Sequence, residues 1–466
     1  MTERIGSSAS FDVVVVGAGL AGFCAALSAT EAGARVLLIE KQGKAGGSTV
    51  LSGGFFAFAD TPEQAAQGVS DSAELLLDDL RSVAGGEADE ALIAAYSRGQ
   101  NQLYRWLVRL GTSFADLELS AGQSVPRSHR TDPDALIGRL SHRFIEAGGT
   151  VLYDTRAIRI LRPRPEGPVT GLVVASGEGE QAIEASAVVL TTGGFVWSDD
   201  LLGNFAPHQK AALRVGGLGN TGDGLRMAWQ LGAGFRDMGQ IKGTFGAHPE
   251  TRPEKHEIML AFYLGAIMVN RQGRRFIDES VSYKLLGDAC LAQMPDRMAF
   301  QVLDHTIFEN SPPGVPLFDP RPALDRGLLI RADTLEALAE KCGIDAAALK
   351  ETIALYNADV EKGRDSAFGR DGLCNHAGAL IPIAKPPFYA YPSTTVLLAT
   401  YCGLTIDPHA RVIDIAGRPI EGLYAAGEIA GGFHGVAYMT GSSLGKSAFF
   451  GRVAGQSAAA LARVVS

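Results

Sequence analysis

The stretch Phe11-Asp-Val-Val-Val-Val-Gly17-Ala-Gly19-Leu20-Ala21-Gly22 decides the fold. A run of β-branched residues leads into three glycines spaced G-x-G-x-x-G, and an alanine-rich helical pattern follows. A second apolar run, Val36-Leu-Leu-Ile39, ends on Glu40. In such a β-α-β unit each glycine has its own physical duty. Gly17 permits a tight turn, Gly19 lets the backbone approach a pyrophosphate, and Gly22 lets helix and strand pack closely. The helix N-terminus then faces the phosphate charge. Glu40 stands about 20 residues on, where an acid can bind a ribose diol. The unit predicts a dinucleotide site in an α/β fold and leaves FAD and NAD both open.

Directly after Glu40 comes Lys41-Gln-Gly43-Lys-Ala-Gly46-Gly47-Ser48-Thr49, then Ser52-Gly53-Gly54. This segment offers backbone N–H groups and small hydroxyls to a bound cofactor; the alternative is a flexible loop. Apolar periodicity predicts helices within 71–110 and over 133–147. A β excursion follows, with runs at Ile158–Leu161, Val169–Ala175 and Ala182–Glu184. A further strand, Ala187–Leu190, ends in Thr191-Thr192-Gly193-Gly194 and again delivers glycine backbone to a ligand. Asp223, between Gly222 and Gly224 ahead of a helical pattern, is either a helix cap or part of a cofactor contact. Arg127, His129 and Arg130 read as a solvated loop, the alternative being a lining of the pocket entrance.

Near Gly239 the strand-glycine-helix rhythm stops, and proline clusters such as Pro312-Pro313 appear. The style returns with Leu423-Tyr-Ala-Ala-Gly427-Glu428, then Gly431-Gly-Phe-His434-Gly-Val-Ala-Tyr438-Met-Thr-Gly441-Ser442-Ser443-Leu444, and a last helix rich in Ala and Gly. This pattern predicts a domain over 8–238 completed by 383–466, with a second domain inserted at 239–382. No second G-x-G-x-x-G with flanking strand and helix occurs. Electrons at a bound FAD would therefore pass to or from the substrate or an external partner.

Composition narrows the class further. The chain has 466 residues, 46% hydrophobic, with a net charge of −9 and no basic runs, which argues against nucleic acid as a partner. Its five cysteines are widely spaced with no C-x-x-C, suggesting reduced thiols and no metal site. The N-terminal apolar run lacks a basic leader and reads as a strand. No run of about 20 apolar residues predicts a transmembrane segment. A cytoplasmic location is expected.

These pieces resemble the flavoprotein superfamily of soluble fumarate reductases and 3-ketosteroid dehydrogenases. The resemblance rests on V-V-V-V-G-A-G-L-A-G, the G-G-S-T…S-G-G loop, T-T-G-G-F, T-G-D-G, V-N-R-Q-G-R-R-F-I-D-E-S and G-L-Y-A-A-G-E-I-A-G-G-F-H-G, in family order almost from end to end. It implies a Rossmann-like FAD domain in two chain segments with an inserted capping domain. It also implies FAD contacts at Gly17, Gly19, Leu20, Ala21, Gly22, Glu40, Lys41, Gly46, Gly47, Ser48, Thr49, Ser52, Gly53, Gly54, Ala157, Thr192, Gly193, Gly194, Asp223, Gly427, Glu428, Ser443 and Leu444. Covalently flavinylated relatives carry a His in the loop after the ribose acid. Ser48-Thr49 stand there in this chain, so the FAD is expected to be non-covalent.

Two positions separate the branches of that superfamily. Fumarate reductases place a proton-delivering Arg after R-F-x-N-E and a carboxylate-clamping Arg in H-G-A-N-R; here the matching residues are Tyr283 and Tyr438. Losing both guanidiniums removes the bidentate clamp that a dicarboxylate needs. Ketosteroid dehydrogenases carry tyrosines at both places. By that likeness the Tyr438 O–H and the Ser442 N–H would polarise a carbonyl, Tyr283 would remove the α-proton, and hydride would pass from the β-carbon to the flavin. His434 is either a pocket hydrogen-bond donor or a structural residue. Tyr401 and Cys402 are candidates for pocket lining. The expected partners are a small apolar ketone and an external electron acceptor. The alternative is an ene-reductase acting on an activated alkene with an external donor.

Overall fold

The strand Phe11–Val16 is flanked in parallel by Val36–Ile39 and Gly179–Leu190, with Val13 opposite both Val36 and Ala187. In the computed structural model, which describes residues 10–253, 255–315, 317–374 and 378–465, two compact units are present. Of the described residues, one unit contains those up to Pro207, Gly216–Ile241 and those from Ala399; the other contains those of His208–Val215 and Lys242–Leu398.

In the first unit the sheet order is Arg411–Ile413, Pro419–Ala425, Gly179–Leu190, Phe11–Val16, Val36–Ile39, Thr150–Leu152. Strands buried on both faces read as continuous apolar runs. Accordingly Val13, Val14 and Val15 are fully buried. The β excursion resolves differently from its sequence pattern. The runs at 182–184 and 187–190 form one 12-residue strand, Gly179–Leu190. Its first part pairs antiparallel with Gly171–Ser176, and its second part joins the parallel sheet. The helix Leu20–Glu31 packs on the last helix, Ser442–Val465. Glycine permits this approach: a Cβ on Gly455 would sit 2.1 Å from the Ala25 carbonyl oxygen.

Arg127 and His129 correct the solvated-loop expectation. Both are fully buried. The Arg127 guanidinium binds Asp71 at 2.6 Å and also pairs with Asp79, while His129 Nε2 lies 2.7 Å from Thr61 Oγ1. A buried charge needs such partners, and both acids lie well upstream in the chain.

The second unit is built on Phe388–Leu397, a ten-residue strand with every residue buried. Ala299–Leu303, Thr244–Ala247 and Ile330–Ala332 pair with it antiparallel, and Leu213–Arg214 pairs parallel. Ile267, Val302, Leu338, Ile353 and Tyr391 contribute to its apolar core. A helix that the sequence pattern did not announce, Tyr283–Leu291, begins at Tyr283, with Ser282 as its cap. Among the described residues no helix is long and apolar enough to cross a membrane, and no His/Cys/Asp/Glu group could hold a metal ion.

Candidate active site

The three motif glycines answer to different neighbours. A Cβ on Gly22 would lie 1.8 Å from the Gly17 carbonyl oxygen, and one on Gly17 would lie 2.5 Å from the Thr191 carbonyl oxygen. Those two glycines are required by the protein's own backbone. A Cβ on Gly19 would meet nothing nearer than 3.8 Å. That leaves room for a group outside the chain, as a pyrophosphate approaching the backbone requires. The helix that follows has no side-chain cap from its N-cap residue and no acid in its first turn, so no negative charge of its own first turn competes with an anion there.

The segment after Glu40 is ordered by its own hydroxyls rather than flexible. Thr49 Oγ1 accepts the Leu20 N–H at 3.1 Å. Ser48 Oγ accepts the Gly217 N–H and the Asn220 amide, each at 3.0 Å. Ser52 Oγ donates to the Thr49 carbonyl at 2.7 Å and accepts the Gly54 N–H at 3.2 Å. The Gly46 N–H reaches the Ala18 carbonyl at 3.0 Å, and Gly47 has nothing within 4 Å of a would-be Cβ. Gly54 is needed internally, since a Cβ there would lie 1.9 Å from the Thr131 carbonyl oxygen, and a Cβ on Gly53 would press on the Phe55 ring at 3.0 Å. Glu40 accepts the Ala18 N–H at 2.8 Å and the Gln42 N–H at 2.9 Å. Each carboxylate oxygen can accept a second donor, which leaves capacity for a ribose hydroxyl. A further opening is Thr192, whose buried hydroxyl has no hydrogen-bond partner among the described residues. Bare glycine, a helix start without an acid, an anchored acid beside it and a hydroxyl without a partner among the described residues together fit FAD.

Other expected contacts are occupied by the protein. At Gly193 a Cβ would strike Asn220 at 2.2 Å, and at Gly194 it would strike Thr400 and Glu428 at 2.1 and 2.2 Å. Both glycines therefore make room for a buried polar cluster. Glu428 is its centre, accepting the Thr400 N–H at 2.8 Å and the Asn220 amide at 2.9 Å, and burial raises its carboxyl pKa. Asp223 is not a cap: Gly222, at φ +79°, holds that position. The Asp223 carboxylate instead takes Lys41 at 3.0 Å and Arg156 at 3.0 Å. Burial opposes its ionisation, yet those two cations hold its pKa below the usual value. Gly427 sits at φ +83°, where a Cβ would press on Ala21 at 2.9 Å. Ala157 and Leu444 are buried.

Three aromatic side chains meet in the same unit. Tyr401 lies 5.1 Å, ring to ring, from both His434 and Tyr438, and His434 lies 5.6 Å from Tyr438. Tyr401 is held at φ +56°, a left-handed conformation that costs energy for a non-glycine residue. The Tyr438 oxygen accepts the Gly441 N–H at 3.2 Å, with the Ser443 N–H also directed at it. Burial pushes the Tyr438 phenol up to about 12 against those two amides. Ser442 departs from its expected role: its N–H donates to the Met439 carbonyl at 3.1 Å, and its hydroxyl does the same at 2.7 Å. The turn closes on itself, so the Ser442 amide is spent within the chain.

Lys446 was not singled out from sequence. It is buried, donates to the Ala430 carbonyl at 2.5 Å and lies over the Phe433 ring at 5.8 Å. Burial lowers its pKa to about 8 against the pull of Asp237, Glu428 and Cys402. Phe433 in turn packs edge-on against His434 at 5.1 Å. A lysine on an alanine-rich helix reads as a surface residue until its tertiary partners are seen.

Tyr283 belongs to the second unit. It is the first residue of the helix Tyr283–Leu291 and is 7% exposed.

The fumarate reductase (cytochrome) of Shewanella frigidimarina is 33% identical over 457 residues, covering 96% of this chain and 77% of its own. A 4-oxocyclohexanecarboxylate 2-dehydrogenase of Sinomonas cyclohexanicum is 29% identical, covering 97% of this chain and 93% of its own. The 3-ketosteroid Δ4-(5α)-dehydrogenase of Rhodococcus jostii, solved with 4-androstene-3,17-dione, superposes with a TM-score of 0.78 at 27% identity over 97% of this chain and 98% of that one. The family described as FAD binding domain matches residues 12–444, and the chain belongs to that family as an FAD-dependent oxidoreductase.

Proposed function

We infer that the protein desaturates a ketone α,β to its carbonyl, the ketone being a 3-ketosteroid or a smaller cyclic ketone. The observation that carries this reading is Tyr438. It is a half-buried phenol held protonated, in a turn where the superfamily's carboxylate-clamping branch has arginine, and it stands against Tyr401 and His434. A phenol and an imidazole recognise a carbonyl, whereas a carboxylate would be left without its bidentate partner.

The division of labour follows from each residue's surroundings. The amides at the Tyr438 oxygen draw electron density from it, which strengthens its O–H as a donor to a ketone oxygen. That hydrogen bond stabilises enolate character and acidifies the α-carbon. Tyr283 takes the α-proton. Its place at a helix start favours the phenolate it needs, because the helix dipole is positive there. Gly19, Glu40, Ser48 and Thr49 would hold FAD non-covalently, and the flavin would supply a two-electron acceptor for the β-hydrogen, to be reoxidised by an external acceptor. The relative named as a cyclohexanecarboxylate 2-dehydrogenase supports a small alicyclic ketone as substrate class.

A second reading, reduction of an activated alkene by electrons from an external donor, is favoured by the relative named fumarate reductase, which has the higher identity. Two variants test the first reading. In Tyr283→Phe and Tyr438→Phe the FAD content should stay at the wild-type level, while the rate of flavin reduction by cyclohexanone falls by about 100-fold or more. Wild-type rates in both variants would place the chemistry elsewhere.

A further inference from the structure

The peptide group between Thr440 and Gly441 is held on both sides. Its N–H donates to the Tyr438 oxygen at 3.2 Å, and its carbonyl accepts Gln123 Nε2 at 2.9 Å. Gln123 is 4% exposed. Its Nε2 also donates to Ser128 Oγ at 2.8 Å, and its Oε1 accepts the Ser120 N–H at 3.0 Å. The Thr440 N–H donates to the Ala121 carbonyl at 3.0 Å. The turn that carries Tyr438 is thus fastened to a segment some 300 residues upstream, Gln123 and Thr440 being 317 apart. Glycine makes the approach possible. A Cβ on Gly122 would lie 3.3 Å from Met439 Cα, and one on Gly441, at φ +86°, would lie 2.6 Å from the Ala57 nitrogen.

The upstream segment is itself pinned by the buried ion cluster around Arg127. The Asp79 carboxylate accepts both the Ser124 N–H and the Ser124 hydroxyl at 2.8 Å, and it pairs with Arg127. Gln64 Nε2 donates to the Pro126 carbonyl at 2.9 Å. Gln123 therefore reaches the Tyr438 turn from a fixed base.

We propose that Gln123 is a positioning residue for Tyr438, which orients and polarises the Thr440–Gly441 peptide so that its N–H stays on the phenol oxygen. The proposal rests on the reading of Tyr438 as the donor to the ketone. A trans peptide is planar, with its C=O and N–H pointing in opposite directions, so fixing the carbonyl fixes the N–H. Hydrogen bonds in a chain also polarise one another. Donation from Gln123 to the carbonyl makes the Gly441 N–H a stronger donor, and that N–H makes the Tyr438 O–H a stronger donor in turn.

The test uses the FAD-loaded enzyme with two readouts. The first is the rate of flavin reduction by cyclohexanone. Gln123→Met should lower it by about tenfold, and should lower it no further where Tyr438→Phe is already present. Equal losses in the two backgrounds, the mark of a structural role alone, overturn the proposal. The second is independent of turnover: the chemical shift of the Gly441 amide proton. Isotope labelling of Thr carbonyl carbons and Gly nitrogens leaves only the chain's four Thr–Gly peptides visible, and Thr440→Ser identifies the Gly441 signal among them. Gln123→Met should move that proton upfield, and by less in the Tyr438→Phe background. Ser128→Ala, which removes one anchor of the Gln123 amide, should act in the same direction more weakly, and serves if Gln123→Met does not fold. A Gly441 proton left in place, or moved equally in both backgrounds, overturns the proposal. Wild-type flavin reduction in Tyr438→Phe would overturn the donor reading instead, and the Gly441 signal would still decide whether Gln123 acts on the contact to Tyr438.

Discussion

A phenol whose pKa stands at about 12 is a donor at neutral pH and not a base, and Tyr438 is such a group. The sequence carried this residue by its place in a glycine-rich turn. It could not carry the direction of the neighbouring amides. Ser442 was the expected partner, but its N–H closes on Met439 while the Gly441 N–H meets the Tyr438 oxygen. Spacing names which residues share a turn, and only the turn's dihedral angles decide where each N–H points. Tyr401 is legible in the sequence only as a candidate for pocket lining, since its left-handed backbone and its ring neighbours are tertiary facts. Lys446 offers a direct check at this scale. Burial lowers its folded pKa to about 8, below its unfolded value, so between about pH 8 and 10 the unfolded chain binds more protons and the folded state gains as pH rises. Lys446→Met removes that effect. In urea titrations the stability difference, wild type minus variant, should rise with pH across this window, by at most about 1.4 kcal/mol per pH unit. A flat difference would show that Lys446 is solvated when folded.

The β-α-β unit was legible at the level of elements because its constraints are local. Gly17 and Gly22 answer to backbone a few residues away or on the adjoining strand, and Gly19 answers to no protein atom within 3.8 Å. This separates two effects that a glycine motif usually confounds. Gly22→Ala should destabilise the apoprotein by about 3 kcal/mol or more, because a methyl has no room beside the Gly17 carbonyl. Gly19→Ala, at φ −84° and ψ −173°, should leave apoprotein stability unchanged. Its FAD affinity should nonetheless fall by about tenfold, or about 1.4 kcal/mol. Denaturation of the two apoproteins and a flavin fluorescence titration distinguish these outcomes, and equal destabilisation by both would reject the assignment of Gly19 to the cofactor. Other elements were less legible. The helix Tyr283–Leu291 is short and follows a polar run, so its apolar face is too brief to announce a period. The pairing of Leu213–Arg214 with Phe388–Leu397 joins distant parts of the chain, and no local pattern signals it.

For the molecule as a whole, the sequence pattern carried the α/β class, the glycine-marked strand ends and the family. These rest on recurrent local motifs in a fixed order. Substrate and direction of reaction are decided by a few side chains, and there the named relatives point both ways: a fumarate reductase at 33% identity and a cyclohexanecarboxylate dehydrogenase at 29%. The account places the weight on chemistry, since a protonated phenol with a neighbouring imidazole serves a carbonyl better than a carboxylate. The most direct test is anaerobic mixing of the oxidised holoenzyme with saturated cyclohexanones and saturated 3-ketosteroids while the flavin absorbance is followed. The account predicts that at least one ketone bleaches the flavin and yields the α,β-unsaturated ketone in equal amount. If none bleaches the flavin, while an enoate reoxidises the chemically reduced enzyme, the account is contradicted and the protein is a reductase.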